Sequence, residues 1–344
     1  MKKLRFAIIG CGFWSQFQLA AWLELEGVEC VALYNRTLEK ATALADRFGV
    51  PKVYDDIDVL LAEEQLDFVD IVSNVETHLH FVEKALQAGI SKIICQKPMG
   101  PDLEISKKML DLTIQAGADF YIHENYRWEK PIQQVKKIME TGEIGTVFKG
   151  RISFLSGYPV FDNQPFLAEL DKFILTDMGS HILDVVRFLF GECRQLFCNT
   201  QTVNPAIKGE DVATLLMRMH NGTTVYSELS YASVMEHDCF TTLYAVIEGD
   251  KGSIALGPHN EIRVTTLSGT RIEKVDLPYY EWADPDYQVI HTAIVPTNQD
   301  ILWDMQGKHV SDNRGVSNFE TVKLVWAAYA SAEQHKAIDL DHFA

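Results

Sequence analysis

The chain has 344 residues, more than one ordinary hydrophobic core can hold, so two domains are expected. Its 31 Lys and Arg against 48 Asp and Glu give a formal net charge of −17, which repels phosphate backbones and argues against nucleic acid as a partner. No stretch approaches the roughly 18 apolar residues of a membrane span, and the six cysteines (Cys11, Cys30, Cys95, Cys193, Cys198, Cys239) form no C-x-x-C pair, as expected of reduced thiols in a cytoplasmic protein.

Met1-Lys2-Lys3 and the run Phe6-Ala7-Ile8-Ile9-Gly10-Cys11 imitate a lipoprotein-type leader. The apolar run is shorter than the roughly 7–15 residues of a secretory h-region and has the length of a buried strand. Leu4 to Gly10 is therefore read as a strand, followed by a helix from about Phe13 to Leu25 and a second strand from Val28 to Tyr34. Leu38, Ala41, Leu44, Ala45 and Phe48 make the apolar stripe of a second helix. Strands at Phe68–Ser73, Lys92–Cys95 and Phe120–Ile122 alternate with helices around His80–Ala88 and Leu103–Gln115. Strands separated by helices imply crossover connections and a parallel sheet. After His123 the pattern changes, with strands expected at Gly150–Leu155, Ala213–His220, Thr223–Tyr231, Leu243–Gly249, Ser253–Ala255 and Glu261–Thr266, and a closing helix from about Asn318 to Glu333. The fold class is α/β: a doubly wound dinucleotide-binding domain over 1–123, then an α/β domain over 124–344 with an open, mostly antiparallel sheet. One face of that sheet is expected to lack a helical cover and to be apolar, so a dimer packed sheet to sheet, or a tetramer, is expected. The alternating strands Val212–His220 and Thr223–Tyr231 carry that expectation.

Residues 10–15 read Gly-Cys-Gly-Phe-Trp-Ser between a strand and a helix. Gly10 permits the tight turn, and Gly12 lets the backbone approach a pyrophosphate at the helix N-terminus. Phe13 and Trp14 follow as further cofactor-side candidates, and Ser15 replaces the third glycine. The second strand ends in Tyr34-Asn35-Arg36-Thr37, without the acid that usually binds the ribose hydroxyls. Asn35 can bond a 2′-hydroxyl, whereas Arg36 can stack on adenine or meet a 2′-phosphate, so this chemistry alone leaves NAD and NADP even.

Cys95-Gln96-Lys97-Pro98 closes a parallel strand whose carboxyl end faces the ligand crevice. There Lys97 can bond a substrate hydroxyl and stabilise developing negative charge. Asp177 and His181 are four residues apart with Asp184 three further on, and the three share a polar helix face suited to proton transfer. No third ligand stands at metal-site spacing, so no metal is expected. His123-Glu124-Asn125-Tyr126-Arg127-Trp128 and Phe161-Asp162-Asn163-Gln164-Pro165 mix hydrogen-bonding and flat groups, as sugar sites do.

These motifs together resemble the glucose–fructose oxidoreductase/inositol dehydrogenase family over nearly the whole chain. Gly10-x-Gly12 matches its fingerprint, and Ser73 to His78 occupies its T-P-n-x-x-H loop, with Asn74 where proline is usual. Gln96-Lys97-Pro98 stands for its E-K-P, with Gln96 replacing glutamate, and Asp177 and His181 match its D-x-x-x-H. Asn163-Gln164 stands where many members have Trp-Arg against the cofactor, and Asp171-Lys172-Phe173 replaces a usual glycine run.

The resemblance implies a sugar dehydrogenase with a small-molecule sugar substrate. Lys97, His181 and Asp177 would be catalytic. Gly10, Gly12, Phe13, Trp14, Asn35, Arg36, Ser73, Asn74, His78, Gln96, Lys97 and Gln164 would hold the cofactor. His123, Asn125, Arg127, Trp128, Asp162, Asn163, Asp177 and His181 would line the sugar site. It also implies NAD over NADP, since similar sugar dehydrogenases use NAD without the ribose acid, and association through the second sheet. The bond before Pro98 is expected to be cis. A non-catalytic NAD-sensing regulator is the rival from another class, and it should lack the lysine and histidine together.

Overall fold

Buried strands alternating with helices build the first sheet in the computed structural model, which describes residues 3–236 and 243–343. Met1, Lys2 and Cys239 lie outside the described residues; the other five cysteines are buried thiols. The order is β1 (Leu4–Ile9), α1 (Ser15–Leu23), β2 (Val28–Tyr34), α2 (Leu38–Phe48), β3 (Val53–Tyr54), α3 (Ile57–Glu63), β4 (Phe68–Ile71), α4 (His78–Gln87), β5 (Lys92–Gln96), α5 (Leu103–Gln115) and β6 (Asp119–His123). All pairs are parallel, in the order β3-β2-β1-β4-β5-β6. The order reverses between β1 and β4, which opens the crevice at the carboxyl ends of those two strands. Sequence reasoning missed β3 and α3. Two residues are too few for a periodic signal, and α3 is set by a local cap, Asp56 accepting from the amides of Asp58 and Val59.

Aromatic packing docks α1 onto this sheet. Phe6 stacks on Phe68 at 4.8 Å and 6°, and Trp22 leans on both. Asp70 sits in the same core and accepts hydrogen bonds from Trp22 Nε1 (2.7 Å) and Gln18 Nε2 (2.9 Å). Burial pushes its carboxyl up to about 6, against the lowering effect of those two donors.

The chain divides into two compact units, Met1–Glu124 with Tyr280–Ala283 and Ile294–Val322, and Asn125–Tyr279 with Asp284–Ala293 and Lys323–Ala344. Two late segments thus return to the first unit, where a reading along the chain placed them in the second. The later elements are α6 (Lys130–Glu140), β7 (Val147–Leu155), α7 (Val160–Asn163), α8 (Ser180–Phe190), β8 (Cys193–Gln201), β9 (Val212–Met219), β10 (Thr224–Ser230), β11 (Tyr244–Gly249), β12 (Gly252–Leu256), β13 (Glu261–Thr266), β14 (Gly269–Lys274), α9 (Gln288–Met305), α10 (Gly315–Gln334) and β15 (Ile338–Asp339). Among the described residues the second sheet runs β14-β13-β12-β11-β7-β10-β9-β8-β15, antiparallel except for the central β7–β10 pair. β8 was missed because Arg194, Gln195 and Asn199 give it a loop-like polarity. α9 was missed because β-branched residues and Pro296 weaken its helical pattern.

Gly150 on β7 carries the ring of Phe190, since a Cβ there would lie 2.3 Å from it; this close approach seats α8 on the sheet. The opposite face is open, but it is not the uniformly apolar surface expected. Phe197, Leu216, Tyr226, Arg151 and Val246 form one row across it, with the Arg151–Glu228 ion pair in the middle. Phe197, Leu216 and Val246 are each two-fifths or more exposed.

Candidate active site

In the first unit β1, the glycine loop and α1 follow one another in the layout of a dinucleotide site. Gly10 has φ of +108°, and a Cβ there would stand 2.6 Å from the Val72 carbonyl oxygen, so only glycine lets the loop after β1 lie against the end of β4. Around Gly12 nothing described lies within 4 Å of where a Cβ would be. Ser15, in the third glycine position, is fully buried, and its hydroxyl donates to the Gly12 carbonyl at 2.7 Å. The N-terminus of α1 receives no side-chain cap. Its amides therefore point to the crevice end of the sheet with the positive end of the helix dipole.

Asn35 is placed differently from a simple ribose contact. Its Oδ1 accepts from the Cys11 amide (3.1 Å) and its Nδ2 donates to the Thr37 carbonyl (2.9 Å), so it ties the glycine loop to the end of β2. Arg36 beside it is exposed, as are Phe13 and Gly12, and Trp14 is half-buried. His78 is almost fully buried, and its ring nitrogens lie 3.2 Å from the Met99 carbonyl and 3.1 Å from the Ser73 carbonyl. It braces the loop after β4 against the loop after β5 rather than facing a ligand. Ser73 is half-buried, its hydroxyl accepts from Thr77, and Asn74 is exposed.

Lys97 follows β5, half-buried, and the Lys97–Pro98 bond is cis. Its amide donates to Gln96 Oε1 at 3.0 Å. The Gln96 Nε2 is buried and has no hydrogen-bond partner among the described residues. An orphaned donor at the end of β5, an open glycine loop and an uncapped helix end are features a dinucleotide would complete, so these residues fit one.

The second unit carries the proton-transfer candidates. Leu175–Gly179 is a π-turn leading into α8, a distortion that often marks functional sites. Glu210 holds its start, accepting from the amides of Phe173 and Leu175 (each 3.2 Å) and from the Tyr329 hydroxyl (2.7 Å). Asp177 Oδ2 accepts from the Tyr231 hydroxyl at 3.1 Å. One turn on, the His181 ring is stacked on Tyr126 with centroids 3.9 Å apart and planes 17° from parallel.

The expected polar face of α8 is buried rather than open, and Asp184 has another duty. It forms a two-pronged ion pair with Arg127, Nε to Oδ2 at 2.6 Å and Nη2 to Oδ1 at 2.5 Å, with both side chains buried. Arg127, expected among the sugar contacts, is thereby paired inside the protein. His123 and Asn125 are likewise buried, with His123 Nε2 2.9 Å from Asn298 Oδ1 and Asn125 Nδ2 donating to the Ile290 carbonyl at 3.1 Å. Trp128 and Gln164 are half-buried, and Asp162 is exposed on α7; the side chain of Asn163 is outside those described. Sequence reasoning missed Tyr231 and Glu210 as site residues. Their partners lie 54 and 35 to 119 residues away, beyond any local motif. Tyr126 lay inside a quoted cluster without a role. Among the described residues no group of three or more His, Cys, Asp or Glu is arranged to hold a metal ion, and no helix is long and apolar enough to cross a membrane.

Comparison with known proteins agrees with this geometry. Residues 4–123 match a model of an oxidoreductase family with an NAD-binding Rossmann fold, and residues 132–255 match the GFO/IDH/MocA C-terminal domain. A D-apiose dehydrogenase of Paraburkholderia graminis is 37% identical, covering 99% of this chain and 90% of that protein. Another, of Rhizobium rhizogenes, is 36% identical over 99% and 98%. The crystal structure of an oxidoreductase from Agrobacterium radiobacter in complex with NAD+, L-tartaric acid and magnesium is 36% identical and covers 100% of both chains, with a TM-score of 0.96.

Proposed function

The chain belongs to the GFO/IDH/MocA oxidoreductase family, as a dehydrogenase with an NAD-binding Rossmann domain, and from that premise we propose that it oxidises an aldose at C1 to the lactone, with D-apiose as substrate and NAD preferred to NADP. The observation that carries this reading is the full-length similarity to two D-apiose dehydrogenases.

When bound, NAD supplies the hydride acceptor. The turn at Gly10 and Gly12 and the amides through Phe13 and Trp14 would hold its pyrophosphate, and Asn35, Arg36, Ser73, Asn74, Gln96 and Gln164 would be further contacts. Lys97 donates a hydrogen bond to the anomeric oxygen and favours the negative charge that develops there. A ring nitrogen of His181 takes the hydroxyl proton, and Asp177 orients the sugar or the histidine. The Lys97–His181–Asp177 set is the family's pattern, and its presence favours an enzyme over a cofactor-sensing regulator.

The test is NADH formation from NAD with a panel of aldoses, polyols and inositols. D-apiose should give the highest kcat/KM; a polyol or inositol preferred tenfold or more would move the substrate class. We also infer association of two or four copies through the open sheet face. Sedimentation at micromolar concentration should show no monomer; a single monomer species would remove that inference.

A further inference from the structure

Two tyrosines from distant parts of the chain converge on the Asp177–His181 turn. We propose that Tyr126 and Tyr231 are positioning residues for the reaction, Tyr126 fixing the plane of the His181 imidazole and Tyr231 fixing the Asp177 carboxylate. The proposal rests on the proton-transfer role given to His181 above.

A base is aimed by its lone pair, and the imidazole lone pair lies in the ring plane. Rotation about the terminal torsion of histidine is soft, so the plane needs an outside constraint. Tyr126 provides one, lying 3.9 Å from the imidazole and 17° from parallel. Tyr126 is itself held. It is almost fully buried, and its hydroxyl lies 3.9 Å from Met178 Sδ. The next residue, Arg127, grips Asp184, so consecutive residues clamp positions 181 and 184 of one helix. The clamp spans three residues along α8, which fixes both the rotation and the height of the helix against the 126–127 turn.

Tyr231 performs the matching task at Asp177. It follows β10, and its ring lies parallel to Phe173 at 5.5 Å and edge-on to Phe154 at 5.2 Å. Phe173 opens the turn that carries Asp177, whose amide donates to the Phe173 carbonyl at 2.9 Å. Tyr231 therefore holds the turn at its start through the ring and at Asp177 through the hydroxyl. Burial, and after it the Asp177 charge, push the phenol well above its usual range, so the hydroxyl keeps its proton and remains a donor.

The experiment compares Tyr126→Leu, Tyr126→Phe, Tyr231→Phe and His181→Ala in the full chain, with NAD and the aldose most active in the panel. Tyr126→Leu should lower kcat about 10–100-fold while the sugar KM and NAD affinity change little, because the loss is one of aim rather than binding. Tyr126→Phe keeps the ring and should recover most of that loss. Tyr231→Phe keeps the packing, removes the donor, and should lower kcat about tenfold. Tyr126→Met fills the space without a ring and replaces the leucine variant if that does not fold. A second readout needs no turnover: the Cε1 proton of His181 should resonate upfield under the Tyr126 ring, move downfield in Tyr126→Leu, and stay in Tyr126→Phe. If kcat in Tyr126→Leu and Tyr231→Phe stays within twofold of wild type while His181→Ala is inactive, the positioning role is overturned and the proton-transfer reading stands. If His181→Ala keeps its turnover, that reading falls and the positioning role falls with it.

Discussion

The two candidate regions, the glycine loop of the first unit and the Asp177–His181 turn of the second, are built in opposite ways. The crevice after β1 is shaped by what is missing: no Cβ at Gly10, open space at Gly12 and no cap on α1. The Asp177–His181 turn is shaped by what surrounds it, namely Tyr126, Tyr231, Glu210 and the buried Arg127–Asp184 pair. A site for a large cofactor needs exposed backbone. The proton transfer proposed for Asp177 and His181 needs two side chains held still, and large buried neighbours hold them.

The contrast predicts different kinds of damage. Removing a chemical group from the held turn or from the end of β5 should be the most costly to turnover. His181→Ala and Lys97→Ala should each lower kcat about 10²–10⁴-fold, with NAD affinity retained by fluorescence titration. Activity within a few-fold of wild type in either variant would place the chemistry elsewhere.

Arg127→Ala tests the scaffold of the same turn rather than its chemistry. It leaves the Asp184 carboxylate buried without its main partner, and breaking such a pair costs about 3–5 kcal/mol. Thermal melts should show a large loss of stability, and no loss would mean that water or Arg187, whose Nη1 lies 3.9 Å from Asp184 Oδ1, compensates the carboxylate.

Asp70 offers the corresponding test in the first unit. Its carboxyl titrates near 6 in the folded chain against a usual value near 4. For an acid the folded state then holds the proton more tightly than the unfolded state. The cost of ionisation is absent below about pH 4, grows through the window, and is complete above about 6, reaching at most about 3 kcal/mol. Asp70→Asn should therefore gain in Tm relative to wild type as the pH rises from 4 to 7. A difference independent of pH would show that the carboxyl titrates normally.

The smallest effect belongs to cofactor choice. Asn35→Asp keeps an acceptor for the Cys11 amide but sets a carboxylate against the Thr37 carbonyl, so only a few-fold sharpening of NAD over NADP is expected from the added ribose acceptor. Steady-state kinetics with both cofactors measure it, and better efficiency with NADP would assign Arg36 to a 2′-phosphate.

The same contrast explains what the sequence made legible. The glycine loop lies in consecutive residues between two strong periodic signals, so its fold, motif and role were readable together. Lys97 was singled out by its place at a strand end and the Asp177–His181 pair by its spacing, and family resemblance supplied the roles proposed for them. The fates of Arg127, His123 and Asn125 were not readable. Whether a polar side chain faces a ligand or an internal partner depends on residues such as Asp184, Asn298 and Ile290, which are 57, 175 and 165 positions away. His78 is a similar case, since both carbonyls at its ring belong to loops that only the folded sheet brings together.

Transfer of an isotopic label tests the central claim most directly. The chain should be incubated with NAD and D-apiose deuterated at C1, and the nicotinamide product and the sugar product examined by mass spectrometry. Oxidation at C1 predicts one deuterium in the reduced cofactor and an unlabelled lactone. Unlabelled NADH with deuterium retained in an oxidised sugar would place the reaction at another carbon and contradict the account.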